Sequence, residues 1–114
     1  MPYINTTASV KIPADKEKRI AAALGKAIEN FPGKTERWLM LNFTDGSSMY
    51  FAGDASAPSA MVEVKIFGRA PDSAFDRMTR DICAIFGREL GIPADRVYVQ
   101  YEECSRWGWN GGNF

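Results

Sequence analysis

The 114-residue chain contains no histidine. Histidine is the side chain whose ordinary pKa lies nearest neutrality, so its absence excludes Ser-His-Asp and Cys-His relays and imidazole-rich metal centres. Proton transfer near neutral pH must then use another group with a shifted pKa. Cysteine is almost absent as well: Cys83 and Cys104 lie too far apart for a CxxC redox motif or a zinc knuckle. Cys83 falls in an apolar helical stretch and reads as a small core residue, whereas Cys104 ends a strand and is expected to be partly exposed. A disulfide between them would be unusual in the cytoplasm. There is no excess of either charge, with fourteen basic and fourteen acidic residues and a formal net charge of zero. That removes the electrostatic footprint of a nucleic-acid binder. No apolar run is long enough for a membrane span. The N-terminus lacks the basic-then-apolar pattern of a signal peptide, which makes the cytoplasm the default compartment.

What remains is an ordinary globular mixture, 46% hydrophobic and 25% charged. The length suits one domain, taken as residues 1–114. Residues 3–7 read as a short opening strand. A helix is predicted over about 15–31, where Ile20, Leu24, Ala27, Ile28 and Phe31 recur at helical spacing. Pro13 and Asp15 start it and Pro32-Gly33 stops it. Residues 37–44 read as a strong strand, Asp45-Gly46 as a turn, and Met49-Tyr50-Phe51 as a further short strand. The second half repeats the plan. Residues 60–67 alternate, with Val62, Val64 and Ile66 on one side; Pro71-Asp72-Ser73 opens a second helix that Gly91 and Pro93 end; residues 96–102 form another strand. Strand–helix–strand twice over predicts an α+β two-layer fold. Two right-handed βαβ units give a four-stranded mixed sheet with both helices on one face. Trp38, Leu39, Met40, Leu41 and Phe43 place apolar side chains on both faces of one strand, so the second face or the sheet edges are expected to be buried in a symmetric oligomer.

Four features could carry chemistry. Removal of Met1 would expose Pro2 as a terminal secondary amine, a group no side chain supplies; apolar or cationic surroundings would lower its pKa into the range of a useful base. Met-Pro is also a common start without functional meaning. Lys34, after Pro32-Gly33, could hold a carboxylate or could simply be solvated. Trp107, Trp109 and Phe114 in the Gly-rich tail could wall an apolar pocket or pack on a neighbouring subunit. Tyr98 and Gln100 share one strand face, opposite Val97 and Val99, and that face could be solvated or functional.

Nearly the whole chain resembles the macrophage migration inhibitory factor (MIF) and D-dopachrome tautomerase family. The resemblance rests on Met1-Pro2, Pro32-Gly33-Lys34, Tyr50-Phe51-Ala52-Gly53, Val64-Lys65-Ile66-Phe67-Gly68, Ile92-Pro93-Ala94-Asp95-Arg96-Val97-Tyr98-Val99, and Gly108-Trp109-Asn110-Gly111 with Phe114. It implies a homotrimer with an active site at each subunit interface. It further implies keto–enol tautomerisation of aryl-pyruvates such as phenylpyruvate and of dopachrome-like compounds. By resemblance Pro2 is the catalytic base, Lys34 holds the substrate carboxylate, and Ile66 contacts substrate through its backbone. Tyr98 and the residue at Gln100 come from the adjacent subunit, and Trp38, Trp109 and Phe114 form apolar walls. The chain departs from the family pattern at three places. Gln100 replaces the usual asparagine, Ala57-Pro58-Ser59-Ala60 lacks both cysteines of the redox segment, and Trp107 stands where a smaller residue is common. No metal or organic cofactor is called for. Two other readings stand beside the enzyme: a MIF-like signalling ligand, binding a host receptor after export by a route without a signal peptide, and a ferredoxin-like nucleic-acid module, which the neutral charge opposes.

Overall fold

A computed structural model describes residues 1–114. Its elements follow the doubled order. Strand β1 (Pro2–Ala8), helix α1 (Ala14–Ala27) and strand β2 (Met40–Thr44) make the first unit; β3 (Ala60–Phe67), α2 (Asp72–Leu90) and β4 (Val97–Cys104) make the second. A hairpin of β5 (Gly108–Trp109) and β6 (Gly112–Asn113) closes the chain. The main sheet runs β2-β1-β3-β4. Each unit pairs its own strands in parallel, and the two units meet through the antiparallel β1–β3 pair.

The helices form where the apolar spacing predicts. Ile20 and Leu24 of α1 and Met78, Ile82 and Phe86 of α2 are fully buried. They meet Ile4 of β1 and Val62, Val64 and Ile66 of β3 in one core. Helix α1 is continued by a single 3₁₀ turn over Ile28–Asn30 before Pro32-Gly33 diverts the chain. Helix α2 ends on Gly91, whose φ of 66° suits a residue without a Cβ. No helix is long and apolar enough to cross a membrane.

Three expectations change. The run 37–44 is not one strand: Glu36–Trp38 is a 3₁₀ turn and pairing with β1 begins only at Met40. Consequently Leu41 and Phe43 pack against the core, while Met40, Asn42 and Thr44 face away from it. The open face is therefore polar along its middle rather than apolar. Asn42 donates to Asn5 (2.8 Å) and Asn5 donates to Glu63 (2.9 Å), a hydrogen-bonded row across three strands. Met49-Tyr50-Phe51 forms no strand in this chain; only Phe51 bridges Asp54, across a tight turn. An edge segment this short, with no neighbour in its own sheet, has nothing in the chain to pair with. Both cysteines are free thiols, and burial pushes the half-buried Cys83 up in pKa.

Candidate functional site

β1 is an inner strand of the sheet, so its first residue is held rather than frayed. Pro2 is buried and lies opposite Ile66 of β3. The residue before it is fixed too, because the Phe67 N–H donates to the Met1 carbonyl at 2.9 Å. The Pro32-Gly33 turn brings Lys34 to the same place, where its Nζ donates to the Phe67 carbonyl at 2.7 Å. The Met1 ammonium is held below its ordinary value of 8.0, first by burial and then by the charge and hydrogen bonding of Lys34. Burial and the Lys34 charge thus both act against the charged form of the Met1 amine.

Beside Met1, Pro2 and Tyr3 a cleft of about 570 Å³ opens, walled by Trp38, Met40, Trp107 and Trp109. The walls brace one another. Trp38 meets Trp109 edge to face at 5.1 Å, Trp109 stacks on Phe114 at 6.3 Å, and Phe114 packs on Phe67 at 5.7 Å. The β5–β6 hairpin sets this arrangement. Its turn residues Asn110 (φ 50°) and Gly111 (φ 80°) are the pair that a two-residue hairpin of this hand favours. Arg37 also lines the cleft, its guanidinium 5.0 Å from the centre of the Trp38 ring. The sequence reading did not single out Arg37. Its signal was position: a cation three residues after Lys34, beside an aromatic, in a turn rather than a strand.

The remaining candidates lie elsewhere. The Ile66 side chain is in the core, and strand alternation turns its N–H towards β4. Tyr98 and Gln100 project from the open face of β4, opposite Val97 and Val99 as expected. Ile66 pairs with Glu103, so Tyr98 is five residues further along. That is about 17 Å along the strands and two spacings of about 5 Å across them. One chain therefore does not bring Tyr98 to Pro2. Instead Tyr98 belongs to a second aromatic group at the far end of the sheet, with its ring 5.1 Å from that of Phe51. Arg96 organises that end. It donates to the carbonyls of Asp54 (2.9 Å), Ala57 (3.0 Å) and Pro58 (3.0 Å) and lies 5.4 Å from the Phe51 ring centre. No cluster of three or more Cys, Asp or Glu residues is arranged to hold a metal ion.

Two βαβ units joined antiparallel, with a proline at the head of an inner strand, define a protein of the tautomerase superfamily. The family model for macrophage migration inhibitory factor matches residues 1–114, and the chain belongs to that family. It is similar to a macrophage migration inhibitory factor of Xenopus laevis, 29% identical over 103 residues, covering 89% of this chain and 82% of that protein. Among solved structures, Leishmania major MIF2 superposes with a TM-score of 0.92 at 38% identity, covering 100% of this chain and 97% of that one. The homologue from Prochlorococcus marinus superposes with a TM-score of 0.83 at 33% identity, with 98% of each chain covered.

Proposed function

We propose that the protein is a keto–enol tautomerase for aryl-pyruvates such as phenylpyruvate and for dopachrome-like compounds, with Pro2 as its general base once Met1 is gone. The observation that carries this reading is the position of Pro2 at the head of β1, beside Lys34 and against a cleft of tryptophans. Burial and a neighbouring cation favour the neutral form of an amine there. The neutral nitrogen removes the proton on the carbon beside the substrate carbonyl, or the enol O–H proton in reverse; the prolinium returns it to the other site. Lys34 holds the carboxylate, and Arg37 adds a second cation at the cleft. Trp38, Trp109 and Phe114 enclose the aryl ring and exclude water. Members of the family are typically oligomeric, and the separation of Tyr98 and Gln100 from Pro2 favours a homotrimer in which these two residues complete a neighbour's site. Intact mass together with a phenylpyruvate enol–keto assay tests the reading. Protein lacking Met1 turns over, whereas a variant with one extra residue before Pro2, whose nitrogen is then an amide, does not. Undiminished turnover by that variant overturns the proposal.

A second reading, as a signalling ligand, draws on the name that the relatives carry. Receptor binding that survives blocking of Pro2 would favour it over catalysis in the cytoplasm.

A further inference from the structure

The cleft beside Pro2 carries a cation that the chain leaves without a counter-charge. Among the residues lining it, only Arg37 is charged and none is acidic. The Arg37 guanidinium stands over the Trp38 ring, 5.0 Å from its centre. Stacking occupies one face of a guanidinium and leaves its N–H groups, which lie in the plane, free to fork onto a carboxylate. Arg19, Arg88 and Arg96 each reach a carboxylate of the chain, whereas Arg37 reaches none. The adjacent acid does not supply one, because Glu36 is turned to helix α1, where its carboxylate lies against Gly25. Lys34 is a separate cation, held at the Phe67 carbonyl beside the head of β1. One cleft is thus served by a cation near the terminal amine and another among the tryptophans.

We propose that Arg37 is a specificity-determining residue that binds a second carboxylate, so that the preferred substrate is an aryl-pyruvate with an acidic group on its ring as well as on its keto-acid end. The inference rests on the proposed function, which puts the keto-acid end at Pro2 and Lys34 and the ring against Trp38 and Trp109. An aryl ring lying on Trp38 carries its outer substituent towards the guanidinium that stands over the same indole. A cleft of about 570 Å³ is of a size that takes drug-sized ligands, so a ring bearing a further carboxylate fits within it. An unsubstituted ring leaves the guanidinium to water, whereas a ring carboxylate pairs with it. Arg37 is exposed, so the gain is that of an accessible ion pair and is screened by salt.

The test uses protein lacking Met1 and a pair of probes without a keto group, 3-phenylpropanoate and 3-(4-carboxyphenyl)propanoate, neither of which is converted. Titration calorimetry gives one ratio of affinities for each protein, in which any loss of binding common to both probes cancels. The doubly charged probe should bind about fivefold more tightly at low salt, and the preference should shrink as salt is raised. In Arg37→Gln, which keeps a polar side chain at an exposed position, the ratio should fall to about one. A preference that survives in Arg37→Gln overturns the inference, because another cation then makes it. So does a ratio of about one in the unsubstituted protein, the result expected if a carboxylate of a neighbouring chain already holds Arg37; that arm stands even if Arg37→Gln fails to fold. Failure of both probes to bind overturns it as well. A preference lost in Arg37→Gln, in protein that does not turn over phenylpyruvate, overturns the role of Pro2 and leaves this inference standing. Turnover of phenylpyruvate without the preference does the reverse.

Discussion

Lys34 is a surface residue by type, but the fold brings its Nζ to the Phe67 carbonyl beside the head of β1. Its charge contributes, after burial, to keeping the terminal amine below its ordinary pKa. In protein lacking Met1, Lys34→Met should raise KM for phenylpyruvate about tenfold and move the acid limb of the pH–rate profile to higher pH. The direction follows because removing a cation restores the charged form of the amine; kcat/KM measured against pH checks both. Thr6 makes a different point. Its hydroxyl lies on the core face of β1, fully buried, with no hydrogen-bond partner. Thr6→Val keeps the shape and removes the unpaired group, so unfolding in denaturant should show a gain of about 1 kcal/mol. Nothing in the sequence marked this residue, because alternation placed it inward while its neighbours' chemistry did not.

Among the elements, α2 and β4 are joined by a half-buried phenol. Tyr101 shares a hydrogen bond of 2.8 Å with Thr79, and burial pushes its pKa up to about 12. An acid with a raised folded pKa binds its proton longer in the native state than in the unfolded chain. Its stabilising effect is therefore whole below pH 10 and is lost between about pH 10 and 12. Tyr101→Phe should cost about 1 kcal/mol at neutral pH by leaving Thr79 without its partner, and should flatten the alkaline loss of stability seen by circular dichroism. The helices and the four sheet strands were legible from period alone, because each buries one clean stripe or one alternate face. The β2 boundary was not. Apolar residues from Trp38 to Phe43 read as a continuous strand, but those at the front turn over as a 3₁₀ segment to wall the cleft. A cleft wall and a buried strand have the same composition.

For the whole molecule, the two aromatic groups sit at opposite ends of the sheet, one around Pro2 and one around Phe51 and Tyr98. On the proposed function, groups so far apart in one chain meet between chains. Sedimentation of the protein at working concentration should give three times the 12.7 kDa chain mass. Mixing chains gives the sharper test. Chains with Tyr98→Ala and Gln100→Ala, and chains blocked at the Pro2 nitrogen, should each be nearly inactive alone and regain phenylpyruvate turnover when refolded together. Turnover no better than either parent would remove the shared site. The polar row Asn42–Asn5–Glu63 on the open face fits an inner surface that stays hydrated rather than one sealed by apolar packing.

By itself the sequence determined the doubled βαβ order and the core stripes, because period and turn chemistry are local properties. It also determined that catalysis near neutral pH could not use histidine. Only the tertiary structure decided which residues meet. β-pairing carries Pro2 to Ile66, the Pro32-Gly33 turn carries Lys34 to Phe67, and the terminal hairpin carries Trp109 to Trp38. It also separated Tyr98 from Pro2 and turned the backbone of Phe67, rather than that of Ile66, towards the head of β1. These are long-range pairings, and register across a sheet is fixed by the burial of one whole face, not by any residue's neighbours in the chain.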